Sequence, residues 1–307
     1  MTPAASTAYD ATVSAAGPRK MLEVRNVRKH FGPVVALDGV SISVEAGKVA
    51  AIVGDNGAGK STLVKILTGV HQPTSGEIAF DGQPVVMHDP DEARRVGVET
   101  LFQDLALVDD LTIWQNLFLG RELTWGGPLR LTRKRAMAEQ AREMLSGLQI
   151  NIPSIEARVR RLSGGQRQAV AISRAVGWNA KLTIMDEPTA ALGVKERTEV
   201  ENLIERLRDQ GRTFLLISHN FDQVMRLSNE IWIMRNGRVV GHRRTAETSG
   251  DELVALITGA KPAEIGRKPS DYPCLIDSDW VFDCIASDAS ASVNPTAGMP
   301  ANNLWEG

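Results

Sequence analysis

VAAIVGDNGAGKST, residues 49–62, joins a short uncharged apolar run to a glycine-rich loop that closes on lysine and serine. The run Val49–Val53 has the unbroken apolar character of a strand buried on both faces. Gly54, Asp55, Asn56, Gly57, Ala58, Gly59, Lys60 and Ser61 fit G-x-x-x-x-G-K-[ST], and Thr62 follows. Glycines at these spacings let successive backbone N–H groups surround phosphate oxygens with no Cβ in the way. Leu63, Ile66, Leu67 and Val70 then recur at i, i+3, i+4 and i+7 and predict a helix. Its partly positive N-terminal end favours the same anion. Lys60 reaches β- and γ-phosphates as a point charge, and Ser61 offers a hydroxyl to Mg²⁺. A turn that merely connects strand to helix is the blander alternative, and the Lys-Ser pair in this strand–loop–helix context weighs against it.

Working outward, residues 22–31 (LEVRNVRKHF) and 35–47 (VALDGVSISVEAG) alternate apolar and polar positions and read as antiparallel strands. Downstream, LTIMD (182–186) and TFLLIS (213–218) read as buried strands, with a helix between them that places Val200, Leu203, Ile204 and Leu207 on one face. Gly211 stands where that helix needs a C-terminal cap. IWIMRNGRVV (231–240) reads as a final hairpin about Asn236-Gly237. Strands alternating with helices imply a mostly parallel sheet and an α/β fold. Residues 104–161 are expected to be mostly helical, with a break at Gly126-Gly127-Pro128.

The strand 182–186 ends in two carboxylates, Asp186 and Glu187. Asp186, at the carboxyl end of its strand, is suited to hold Mg²⁺ through water, since such ends are where open α/β sheets bind ligands. Glu187 points elsewhere and suits a general base acting on water. Alone the pair is commonplace; beneath a phosphate loop it gains meaning. Leu162-Ser163-Gly164-Gly165-Gln166 offers a second anion site, with Ser163 as N-cap and two glycines exposing amides at the start of a helix through Ile172, Ala175 and Val176.

Composition bounds the alternatives. A hydrophobic share of 43% and a charged share of 23% suit a globular chain with a sizeable core, and the net charge of −2 gives no basic footprint for nucleic acid. No apolar stretch approaches the roughly 18 residues of a membrane-spanning helix. Residues 1–20 lack the apolar core of a secretory signal and are expected to be a flexible leader that stays in the cytoplasm. Cys274 and Cys284 both fall in residues 268–307, so the main body has no disulfide framework. That tail carries one Lys against five Asp and one Glu, with much Ser, Ala, Pro and Asn, and is expected to be poorly ordered.

LSGGQ at 162–166 resembles the signature of ABC-type ATPases. Phosphate loop, glutamine, signature, strand-Asp-Glu and histidine also follow in that family's order over about residues 22–260. The resemblance implies a P-loop NTPase (RecA-like) core over 21–267, with a mostly parallel sheet, an antiparallel β subdomain and a helical signature subdomain at about 104–175. It implies ATP hydrolysis with ATP and Mg²⁺, and gives roles to three more residues. Gln103 touches Mg²⁺ and the water and relays to a transmembrane partner, His219 contacts the γ-phosphate, and Phe31 stacks on adenine. Each has a plainer alternative: a surface glutamine, a satisfied histidine at a strand end, a core aromatic. Two copies are expected to pair head to tail, so that the signature of one (Ser163, Gly164, Gly165, Gln166) closes over ATP held by Lys60 of the other. One departure stands out: many family members have aspartate where this chain has Gly193, which implies looser coupling across the dimer or coupling by backbone alone.

Four stretches (54–78, 103–122, 188–196 and ISHN at 217–220) are similar to importers of ribose, xylose and fructose. That likeness implies a homodimer at the cytoplasmic face of the inner (plasma) membrane, bound to permease subunits and served indirectly by a periplasmic solute-binding protein. An ABC ATPase for another solute, or one acting on nucleic acid, is the alternative. The second lacks the coiled coils or zinc modules it needs, because only about a hundred residues separate phosphate loop from signature.

Overall fold

A computed structural model of the chain describes residues 18–126, 131–148, 150, 152–178 and 180–261. The tail expected at 268–307, and all of the leader expected at 1–20 except Pro18–Lys20, lie outside the described residues.

Two long strands, β1 (Lys20–Phe31) and β2 (Val34–Glu45), pair antiparallel as their alternation predicts. With β4 (Ser75–Phe80) and the two-residue β5 (Gln83–Pro84) they form a four-stranded sheet ordered β2-β1-β4-β5. The second sheet contains β3 (Val49–Gly54), β6 (Val98–Leu101), β7 (Leu182–Asp186), β8 (Thr213–Ile217), β9 (Glu230–Arg235) and β10 (Arg238–Arg244). Its order is β10-β9-β3-β8-β7-β6, parallel except for the β9–β10 hairpin. At that hairpin's turn Asn236 and Gly237 both have positive φ (49° and 75°), as the Asn-Gly pair predicts.

β3 shows why its sequence is apolar throughout. Ala50 and Ile52 point into one core, shared with Leu63, Ile66, Leu67 and the antiparallel sheet. Val49, Ala51 and Val53 point into another, shared with Val200, Leu203, Ile204 and Leu207 of α6 (Val194–Asp209). Each fully buried Val, Leu or Ile among them contributes about 1.5–3 kcal/mol. The helix after the phosphate loop, α1 (Lys60–Leu67), is shorter than its stripe suggests. Val70 lies beyond it and is exposed, because the chain turns at Gly69 (φ 74°). The C-terminal cap expected at Gly211 is present, with φ 81° just past Gln210.

The expectation of a mostly helical 104–161 is corrected. Among the described residues two α-helices occur there, α3 (Ile113–Leu117) and α4 (Lys134–Gly147), with a 3-10 turn at Val159–Arg161. Residues 104–112 are irregular, and several of their backbone groups bond to side chains instead. Asn116, fully buried, accepts from Val108 N–H (2.7 Å) and donates to the carbonyls of Val108 (3.0 Å) and Thr112 (3.0 Å). A separate core of Ile113, Leu117, Phe118, Met137, Ala141, Leu145 and Val159 includes Leu162 and Val170 beside the signature. The signature helix is α5 (Gly164–Gly177). Three shorter α-helices remain among the described residues: α2 (Pro90–Val96), α7 (Phe221–Leu227) and, beyond the hairpin read as final in the sequence, α8 (Gly250–Thr258), which follows a 3-10 turn at Thr245–Glu247.

Candidate active site

The phosphate loop joins the central strand β3 to α1, and the β9–β10 turn braces it from behind. Gly237 N–H donates to Ala58 O (3.1 Å), tying hairpin to loop. That closeness explains the first glycine of the motif. A Cβ on Gly54 meets Met234 O at 2.2 Å, a collision no side chain survives in place. Gly59 has φ 98°, and a Cβ there meets Leu37 Cδ2 at 2.7 Å and Ala36 O at 2.8 Å. The loop is thus glycine-rich for packing as well as for anion access.

A cavity of about 610 Å³ opens over this loop. Of the residues singled out in the sequence, Asn56, Gly57, Ala58, Gly59, Lys60, Ser61, Thr62, Gln103, Asp186, Glu187 and His219 line it. They arrive from four places in the chain, brought together because β3, β8, β7 and β6 are neighbours in the sheet and all end on one side. Gly54 and Asp55 lie behind the lining, where their carbonyls accept from Lys60 Nζ at 2.7 and 2.9 Å. Burial pulls the Lys60 ammonium below its usual pKa, and the carboxylates of Glu187, Asp186 and Asp55 partly offset that. Burial and the neighbouring Glu187 push the Asp186 carboxyl above its ordinary value, with Lys60 only partly countering them. Two crowded carboxylates facing one lysine form a site that gains from an added cation.

Glu187 occupies the left-handed region (φ 51°), uncommon for a residue other than glycine. Its backbone N–H donates to Ile217 O (2.8 Å). Its Oε1 accepts from His219 N–H (2.9 Å) and lies 2.6 Å from His219 Nδ1. The His219 side chain is otherwise largely exposed to the cavity mouth, at 73%. Glutamate and histidine thus form a linked pair at the carboxyl ends of adjacent strands.

Phe31 does not line the cavity. It is 43% exposed, lies edge-on to His71 (5.3 Å) and carries the Lys29 ammonium 5.0 Å over its ring. Val34, Val35 and Ala36 form the apolar wall beside the loop instead. Sequence reading missed them, although two adjacent valines exposed on one strand end are a usable signal. It also missed Ala190 and Ile217, which carry no chemical signature.

Ser163, Gly164, Gly165 and Gln166 are likewise absent from this lining. Ser163 caps α5 in a reciprocal box: its Oγ accepts from Gln166 N–H (3.3 Å), and Gln166 Oε1 accepts from Ser163 N–H (3.1 Å). The two glycines let α6 approach, since a Cβ on Gly165 meets Glu196 Cβ at 3.1 Å. Gly193 is the N-cap of α6 and makes no side-chain capping bond. Within one chain, phosphate loop and signature therefore belong to different surfaces. Among the described residues no helix is long and apolar enough to cross a membrane.

The model of the ABC transporter family matches residues 37–190. A xylose/arabinose import ATP-binding protein of Sulfolobus acidocaldarius is 46% identical over 238 residues, covering 78% of this chain and 94% of that protein. A fructose import ATP-binding protein of Rhizobium meliloti is 43% identical over 246 residues, covering 78% and 95%. A ribose import ATP-binding protein of Agrobacterium fabrum is 43% identical over 246 residues, covering 80% of this chain but 48% of that protein, so the chain spans about half the length of the ribose relative. Among solved structures, a nucleotide-free ATP-binding cassette from an ABC transporter aligns with TM-score 0.68 and 31% identity, covering 81% of this chain and all of that one. A dimeric cassette in a post-hydrolysis state with ADP and phosphate aligns with TM-score 0.61 and 26% identity over 73% and 99%. On this match, these relatives and this fold, the chain belongs to the ABC transporter family, as one of its ATP-binding cassettes.

Proposed function

We propose that two copies of this chain hydrolyse ATP at their shared interface and thereby drive a separate membrane permease that imports a monosaccharide. One observation carries the catalytic part: Lys60, Ser61, Gln103, Asp186, Glu187 and His219 line one cavity, while the signature lies outside it. In this reading a second copy completes the site by supplying Ser163, Gly164, Gly165 and Gln166, which do not line the cavity of their own chain. A two-fold pair does so at both sites at once.

In this reading the phosphate loop's amides and Lys60 hold the β- and γ-phosphates, and the apolar wall of Val34–Ala36, with Phe31 at its edge, receives the base. Asp186, Ser61 and Gln103 would hold Mg²⁺; they share the lining, and the raised carboxyl of Asp186 fits a group that gains from a cation. Among the described residues no cluster of three or more His, Cys, Asp or Glu forms a protein cage, which suits a hydrated ion shared with phosphates. Bound there, Mg²⁺ supplies charge neutralisation for the phosphoryl oxygens. Glu187 orients water and takes its proton as the water oxygen bonds to γ-phosphorus and the bond from γ-phosphorus to the ADP oxygen breaks, giving ADP and phosphate. His219, linked to that carboxylate, keeps it aimed and meets the γ-phosphate. Enclosure between two chains excludes solvent and strengthens each electrostatic contact.

The sugar assignment rests on the import proteins this chain is similar to, whose names carry xylose, arabinose, fructose and ribose. The chain would sit peripherally at the cytoplasmic membrane face, with a solute-binding protein acting on the far side. The test is ATP hydrolysis by the assembled complex in vesicles, against pentoses, hexoses, amino acids and lipids. A sugar presented by its binding protein should raise turnover, and the free chain should ignore every sugar. Stimulation only by an amino acid or lipid would remove the sugar assignment and leave the ATPase intact.

A further inference from the structure

Arg174 stands on the signature helix α5, yet its guanidinium leaves that helix to bind the irregular segment just past Gln103. Nη2 donates to Leu105 O and Nη1 to Ala106 O, both at 2.8 Å. A planar fork is the side chain best suited to two adjacent carbonyls, and arginine keeps its charge even when half-buried. The segment it grips is not relaxed: Ala106 has φ 48°, a left-handed conformation that crowds an alanine's Cβ against the following carbonyl oxygen. Asn116 holds the far end of the same segment through Val108.

The base of the clamp is itself braced. Trp178, just after α5, donates from Nε1 to Leu117 O (3.2 Å) and packs edge-on against Phe118 with ring centroids 5.0 Å apart. Arg121 lies 5.2 Å over the Trp178 ring and pairs with Glu99 on β6, the strand that leads into Gln103. Leu105 and Leu107 pack against the core that Val49, Val53 and α6 share, so the segment is anchored by side chains inward and by Arg174 along its backbone.

We propose that Arg174 is a positioning residue that locks the Gln103 segment to the signature helix, so that the glutamine of one site and the signature serving the other site move as one body. This rests on the ATPase reading above. It predicts that a shift of α5 on dimer closure is transmitted to Gln103 through two hydrogen bonds, and that cutting them loosens Gln103 without touching the phosphate loop.

The test is a double-mutant cycle in the full chain. Arg174→Met should lower kcat by about tenfold to a hundredfold, the range for a misplaced catalytic group, with KM for ATP within about twofold. Combined with Gln103→Ala, it should add less than about twofold to the loss caused by Gln103→Ala alone, because Arg174 acts through Gln103. Arg174→Lys, which keeps charge but not the fork, should fall between, and it carries the same cycle if the methionine variant folds poorly. Losses that multiply in the double variant would overturn the proposal and leave Arg174 a stability residue. Independently of turnover, hydrogen exchange at residues 102–108 should speed up in Arg174→Met while α1 and β7 keep their protection. Unchanged exchange at 102–108, or acceleration spread over the whole chain, would overturn it equally. A parent chain that does not hydrolyse ATP would instead count against the ATPase reading, and exchange alone would then decide the tether.

Discussion

Glu187 holds a left-handed backbone so that its carboxylate meets His219 N–H and the ring Nδ1 together, a geometry retained because neighbouring strands fix both residues. Glu187→Gln is isosteric and should leave ATP binding intact while slowing hydrolysis by about 10²–10⁴, read from single-turnover kinetics. Asp186 makes a different prediction, about pH. Its folded pKa is raised above the ordinary 3.8, so its ionised form is disfavoured by folding. Below about pH 3.8 both states are protonated and the cost vanishes. It grows as pH rises through the folded pKa and is complete above it. Asp186→Asn should therefore melt higher than the parent at neutral pH, with the gap closing toward pH 3.8, while Mg²⁺-dependent turnover is lost. A gap that widened on acidification would contradict the assigned sign. Residue identities at this site were legible because the chemistry demands particular side chains at fixed spacing. The cavity wall of Val34, Val35 and Ala36 was not, since valine beside a loop carries no mark of what it faces.

At the scale of elements, strands and their pairing were readable wherever burial imposes a period. β1 and β2 alternate, β3 is apolar on both faces, and Asn236-Gly237 supplies the backbone of a tight hairpin. The stretch 104–161 misled because its helix-compatible composition hides Asn116, which competes with regular structure by bonding the loop backbone directly. Asn116→Leu leaves Val108 N–H and two carbonyls without that partner and should destabilise the chain by about 1–3 kcal/mol, measured by urea melts. α6 offers the opposite lever. Its N-cap, Gly193, has extended backbone (φ −66°, ψ 166°), no side-chain capping bond and open space at its Cβ. Gly193→Asp should add a few tenths of a kcal/mol, or about 1 °C in melting temperature, at no packing cost. The signature helix shows the reverse case. Its N-cap was predicted at Ser163, whereas the reach of Arg174 to a distant loop has no sequence period to reveal it.

For the whole molecule, sequence order conveyed the α/β core and the antiparallel sheet, which share one hydrophobic cluster, and the signature helix, which packs in part on a separate one. It could not convey that phosphate loop and signature open onto different surfaces of one chain, which is a property of the fold. That separation makes the shared, two-copy site the central claim, and mixing two inactive variants tests it most directly. Lys60→Ala disables phosphate binding and keeps the signature; Ser163→Arg blocks the signature and keeps the phosphate loop. Each alone should hydrolyse ATP at background rate. Mixed in equal amounts under conditions that allow exchange, half of the pairs are mixed and each holds one intact site, so about a quarter of the parent's turnover should return. Recovery near that level is the predicted result; full activity of Ser163→Arg alone, or no recovery once mixed pairs are shown to form, would contradict a site built from two chains.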